Sequence, residues 1–183
     1  MRAVNKRNVA VVALVVLLAV LAIEHLRKKE PESLAVMQQA SSNTAGQAAP
    51  VFSLKDNAGN EYHVGGPRSK ALIVNFWASW CGPCQEEAPE LNQMALKYKD
   101  VLDIYGVNVT SQDYKPNAER FIRKYMLAFP VMFDLKGTVF DQYQGQVFPT
   151  NVLIDKNGVI AEVILGVLTA EELEQKIIAL TGS

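Results

Sequence analysis

Residues 71 to 84 read ALIVNFWASWCGPC. An apolar run of strand length, 71 to 79, suits a strand buried on both faces. Two residues later come Cys81 and Cys84, the only cysteines in 183 residues, separated by Gly82 and Pro83. From Pro83 to Tyr98 the pattern turns helical, with Leu91, Met94, Ala95 and Tyr98 at i, i+3, i+4 and i+7. A buried strand that runs straight into a helix belongs to a layered α/β architecture, and here both cysteines fall at the junction.

The flanking segments extend that pattern. Residues 49 to 65 are expected to form a hairpin turning at Asp56-Asn57-Ala58-Gly59. Residues 101 to 109 make a strand, and 116 to 127 a helix with Pro116 in its first turn and Phe121, Ile122 and Tyr125 as its apolar stripe. A short strand at 130–133 and a helix near 138–143 follow. Residues 149–155 and 159–166 are strands joined through Lys156-Asn157-Gly158, an Asn-Gly hairpin signal. Thr169 and Glu172 form a capping box that opens a last helix, with Leu173, Ile177 and Leu180 facing inward. The expected fold is a three-layer α/β sandwich with a mixed sheet.

The N-terminus is different in kind. Arg2, Lys6 and Arg7 precede residues 9 to 23, an unbroken apolar run of 15. As a helix it covers about 22 Å, short of a hydrocarbon core of roughly 30 Å. Basic side chains on both flanks can snorkel to make up the difference. No small-x-small cleavage site follows closely, and no cysteine offers a lipid attachment point. Residues 1–30 are therefore expected to be an uncleaved single-pass anchor, 31–48 a flexible linker, and 49–183 the catalytic domain. Basic residues on the two flanks nearly balance, so charge alone leaves the orientation open.

Composition excludes several classes. Hydrophobic residues make up 49% and charged residues 20%, enough for a packed core. Net charge is -1 and no basic run lies outside the N-terminal region, so no nucleic-acid partner is expected. Two cysteines cannot build a disulfide framework, and His25 and His63 stand alone. No metal and no cofactor are expected.

A thiol at a helix N-terminus sees the positive end of the dipole and free backbone N–H groups, both of which favour the thiolate. Pro83 fixes φ, and Gly82 removes side-chain bulk beside the attacking sulfur. Cys81 would attack a partner disulfide and Cys84 would resolve the mixed disulfide. An inert buried pair or half of a zinc site would use the same spacing, but the zinc site lacks two ligands.

FWASWCGPC at 76–84, Pro89 five residues after Cys84, and VFPT at 147–150 ahead of a strand together resemble the thioredoxin superfamily. More narrowly the chain is similar to the TlpA/ResA-like membrane-anchored thiol-disulfide oxidoreductases, over about residues 49 to 182. The resemblance implies that Pro149 is a cis-proline facing the disulfide, with Thr150 offering backbone groups to an extended substrate strand. Between Cys84 and Pro149 lie 64 residues, room for an inserted αβ unit at 116–133. The resemblance further implies an extracytoplasmic catalytic domain, protein thiol and disulfide substrates such as apocytochrome c, and a membrane thiol transporter as electron donor.

One departure from thioredoxin proper matters. Its buried strand Asp is here Asn75, which exchanges no proton. Glu87 lies three residues past Cys84, ~60° around the helix and one turn along. It is the candidate proton acceptor for Cys84, as the resemblance also implies. Glu86 is expected to be solvated. Trp77 is expected in the core, and Trp80 and Phe148 on a partner-docking surface. The leading expectation is a protein-disulfide reductase. A disulfide oxidant, a thiol peroxidase (for which Ala78 stands where a hydroxyl would be needed) and a redox-sensing binding module are the alternatives.

Overall fold

A computed structural model of the protein describes residues 14–24 and 44–182. Two units separate at residues 39 and 40. In the first, residues 14–24 are helical, with exposed apolar side chains from Leu14 to Ile23. The rest of the expected anchor and most of the linker lie outside the described residues. Among the described residues no helix is long and apolar enough to cross a membrane.

The second unit is built on β3 (Ala71–Trp77), buried along its whole length. It pairs in parallel with β4 (Leu102–Asn108) and antiparallel with β6 (Thr150–Ile154). Edge strands β5 (Val131–Phe133) and β7 (Ile160–Leu165) complete the mixed order β5-β4-β3-β6-β7. The hairpin of β1 (Phe52–Lys55) and β2 (Glu61–Val64) is a separate two-stranded sheet, turned by Asp56, whose carboxylate accepts from the N–H groups of Ala58 and Asn60. The helices are α1 (Gly82–Lys97), α2 (Lys115–Tyr125), α3 (Thr138–Gln142) and α4 (Ala170–Thr181). Helix α2 and strand β5 lie where the inserted αβ unit is expected.

Strand periodicity sorts the core into two layers. Ala71, Ile73 and Trp77 of β3 pack with Ala88, Leu91 and Met94 of α1, Phe121 of α2, and Leu173 and Ile177 of α4. Leu72, Val74 and Phe76 face the other way, onto Phe52, Val64, Phe140 and Tyr143. Asn75 falls in the first register, which turns its side chain toward α1 and away from the hairpin. Thr169 closes the expected capping box with Glu172.

Two boundaries differ from the sequence reading. Strand β3 ends at Trp77 and not at 79, because the Ser79 N–H leaves the ladder to donate to Asp113 Oδ2 at 2.6 Å. Backbone pairing of the folded unit begins ahead of residue 49. Gly46 N–H donates to Ile160 O and Ile160 N–H to Gln47 O, both at 2.8 Å. Backbone pairing of small polar residues leaves no hydrophobic period to read.

Candidate active site

Cys81 is the N-cap of α1, with Pro83 in the first turn. The Cys84 N–H donates to Cys81 Sγ at 3.1 Å, which points a donor of the helix's first turn at that sulfur. The two cysteines are joined as a disulfide with Cα atoms 5.3 Å apart, and both are buried. A Cβ placed on Gly82 would meet nothing within 4 Å. Glycine is therefore not demanded by crowding within the chain. Any steric reason for it lies with an incoming partner.

The rim beside the disulfide is aromatic. Trp80 is 62% exposed and is held by its Nε1–H donating to Gln112 O at 2.8 Å. Its ring meets Phe148 edge-on, 5.7 Å between centroids, and Phe148 stacks on Phe140 at 5.0 Å. The Phe148–Pro149 peptide is cis.

Thr150 is placed differently from the expectation. It is 1% exposed, lies in register between Phe76 and Leu165, and its hydroxyl donates to Val147 O at 2.8 Å. A residue already inside a central strand has little backbone left for a visitor. The Pro149 carbonyl is also taken, by the Gly166 N–H at 2.8 Å. Half-buried Phe148, just outside β6, is the residue at the open rim.

Below the cysteines, Glu87 is 1% exposed while its neighbour Glu86 is exposed. Asn151 Nδ2 donates to Glu87 Oε1 at 2.7 Å, and Asn75 Nδ2 to Glu87 Oε2 at 3.1 Å. The Leu168 N–H approaches Oε1 at 3.4 Å. Asn75 also donates to Asn151 Oδ1 at 2.8 Å, across the β3–β6 ladder where the two are register partners. Burial pushes the Glu87 carboxyl up to about 7, against the smaller opposing pull of these donors. Asn75 and Cys84 border one small cavity of about 10 Å³ with Trp77. Trp77 is core, as expected, and its Nε1–H meets no acceptor among the described residues.

The AhpC/TSA family profile matches residues 45–163. The chain belongs to the AhpC/TSA family. Thioredoxin-like protein YneN of Bacillus subtilis (strain 168) is 38% identical over 133 residues, 72% of this chain and 78% of YneN. Thiol-disulfide oxidoreductase ResA of Geobacillus thermodenitrificans (strain NG80-2) is 37% identical over 131 residues, covering 71% of this chain and 74% of ResA. Among solved structures, a putative thiol:disulfide interchange protein DsbE from Chlorobium tepidum superposes with a TM-score of 0.66 at 34% identity, over 75% of this chain and 98% of that one. This AhpC/TSA member is thus a ResA-like thiol-disulfide oxidoreductase.

Two residues of this ResA-like site escaped the sequence reading. Asn151 completes the cradle of Glu87, and its signal was an amide inside the apolar strand TNVLI, the counterpart of Asn75 in ALIVNFW. Asp113 fixes the turn before Cys81. It accepts from the Ser79 N–H and Oγ–H, each at 2.6 Å, from Asn108 Nδ2 at 2.8 Å and from the Tyr114 N–H at 2.7 Å. Nothing in its local sequence marks it, since apart from the adjacent Tyr114 N–H its partners come from β4 and from the loop after β3.

Proposed function

We propose that this oxidoreductase works as a reductant of protein disulfides, tethered to the cell membrane with its catalytic domain outside the cytoplasm. The observation that carries the reading is Glu87, a buried carboxyl raised to about 7 on the helix that bears both cysteines. In the reduced enzyme the Cys81 thiolate attacks one sulfur of a partner disulfide. That S–S bond breaks, its electron pair leaves on the second partner sulfur, and a Cys81–partner mixed disulfide forms. Cys84 then gives up its proton, with Glu87 as acceptor, and attacks Cys81 Sγ. The partner leaves as a dithiol and the Cys81–Cys84 disulfide remains. A base near neutrality assists the step in which a buried thiol must ionise.

Trp80 and Phe148 supply the surface against which the partner lies, the buried cis Pro149 fixing the chain after Phe148, with open space over Gly82 for its approach and Pro83 holding the first turn. The ResA-like resemblance supplies the substrate class, apocytochrome c before haem attachment, and a membrane thiol transporter as electron donor. Residues 9–23 and their basic flanks support the tether. Buried Ala78 offers no hydroxyl three residues before Cys81, which speaks against a peroxidase.

The deciding measurement is the reduction potential of the Cys81–Cys84 pair in the full-length protein. A value near -270 mV, as in thioredoxin, marks a reductant, and one near -120 mV an oxidant. Turnover of insulin disulfides separates the enzyme from a redox-sensing binding module. In cells, loss of the protein should deplete c-type cytochromes, with recovery on an added small-molecule thiol. Unchanged cytochrome levels would remove apocytochrome c as the substrate.

A further inference from the structure

A groove of about 670 Å³ lies beside the cysteine pair, between the turn that precedes it and helix α2. Ser79, Trp80 and Gln85 form the near wall, all within four positions of Cys81. Arg120, Arg123 and Lys124 stand on the α2 side. The walls are tied together. The Tyr125 hydroxyl donates to Gln85 Oε1 at 3.1 Å, and Gln85 Nε2 donates to Ser79 O at 3.2 Å. The groove is therefore braced by the same residues that position the disulfide.

Its charge is one-sided. Among the described residues no aspartate or glutamate lines it. Helix α2 carries Lys115, Arg120, Arg123 and Lys124 against a single carboxylate, Glu119, which lies 3.9 Å from Lys115 Nζ. Among the described residues none of the three groove cations has a carboxylate partner. Arg120 donates to Asn117 Oδ1, and Lys124 Nζ lies 4.7 Å from the centre of the Tyr125 ring. Asp113, behind the near wall, is occupied by Ser79, Asn108 and Tyr114. Arg123 and Lys124 suit the negative end of the helix dipole. That does not account for Arg120, nor for a facing wall without counter-charge.

We propose that this groove seats an acidic segment of the polypeptide whose disulfide is exchanged at Cys81. The inference rests on thiol exchange at that cysteine and adds a preference to it. Trp80 belongs both to the groove and to the Phe148 ledge, so a chain bonded through sulfur to Cys81 passes the open end of the groove. Carboxylates on that chain meet three cations that have no carboxylate partner among the described residues, a complementarity that raises the association rate and fixes orientation.

The test uses full-length protein and disulfide-linked peptides that differ only in flanking residues, acidic against neutral. The acidic peptide should be reduced with a kcat/KM about 10-fold higher at low salt, narrowing severalfold at 0.5 M salt as the charges are screened. Arg120→Gln/Arg123→Gln/Lys124→Gln should bring the ratio to about 1, and Arg120→Glu/Lys124→Glu should reverse it toward a basic peptide. Lys156→Gln, on the distant β6–β7 turn, should leave the ratio intact. A ratio near 1 in the native protein, or one that survives the triple substitution, overturns the proposal. A cysteine-free acidic peptide, titrated against tryptophan fluorescence, reads the groove without the chemistry. Saturable, salt-sensitive binding lost in the triple variant supports the groove even if disulfide exchange fails. Absence of such binding overturns it.

Discussion

Asn151 Nδ2 donates to Glu87 Oε1 across 2.7 Å, joining a central strand to the helix of the cysteines over 64 residues of chain. Its ladder partner Asn75 donates to the other carboxylate oxygen. A carboxyl in the core is thus held by two amides that can donate to it but cannot exchange its proton. The arrangement sets a titrating group, raised toward neutrality by burial and moderated by its donors, against two amides that do not titrate.

Glu87→Gln keeps the shape and removes the base. Reduction of substrate disulfides near neutral pH should slow by about 10-fold or more, at the low end of general-base effects. Glu86→Gln, on the exposed face, should not slow it. Stopped-flow rates with both variants check this. Equal rates would mean that the proton leaves Cys84 by another route.

The raised carboxyl also sets a stability window. Its ordinary value is 4.5 and its folded value about 7, so the folded state holds the extra proton between those limits. The stabilising contribution is complete below about 4.5 and is lost as pH rises through 7, an amount of about 3 kcal/mol. Urea unfolding of oxidised protein from pH 4 to 8 should show this fall, and Glu87→Gln should flatten it. Asn151→Ala removes the donor that most opposes the upward shift, so the midpoint should move above that of the native protein. A midpoint unchanged by Asn151→Ala would dissociate the amide from the carboxyl.

Much of this was legible in the sequence because it is local. The helix N-terminus at Cys81, the capping box at Thr169 and the buried run read at 71–79, of which 71–77 form β3, each announce themselves within a few residues. Glu87 could be placed one turn past Cys84 by helical geometry alone. What closes around it could not. Asn151 reaches it only through the β3–β6 register, and Leu168 only through the loop before α4. The burial of Thr150 was hidden for the same reason, since its cover comes from strands β3 and β7.

Asp113→Ala should loosen the turn that carries Ser79 to Cys81. Four donors lose their acceptor, those of Ser79 (two), Asn108 and Tyr114. Water can reach some of them, so the expected loss is about 2–4 kcal/mol and not the full sum. Chemical denaturation of the oxidised form measures it. A loss below about 0.5 kcal/mol would show that the turn is held by its apolar neighbours instead.

The order of the two thiols follows from the helix N-cap. Cys84 N–H points at Cys81 Sγ, and Cys81 follows directly on Trp80 of the aromatic rim. A thiolate at Cys81 gains a backbone donor and the helix dipole, whereas Cys84 sits inside the first turn and borders a small cavity. In reduced protein, alkylation should therefore strike Cys81 first. Cys81→Ser should abolish disulfide reduction. Cys84→Ser leaves the attacking thiol without its resolver, so it should accumulate mixed disulfides with partner proteins, visible as reductant-sensitive bands on non-reducing gels. Those adducts should be absent from the Cys81→Ser/Cys84→Ser double variant. If Cys84 alkylates faster, or if Cys81→Ser is the variant that traps partners, the roles are reversed. The base argument for Glu87 would then apply to attack and not to resolution.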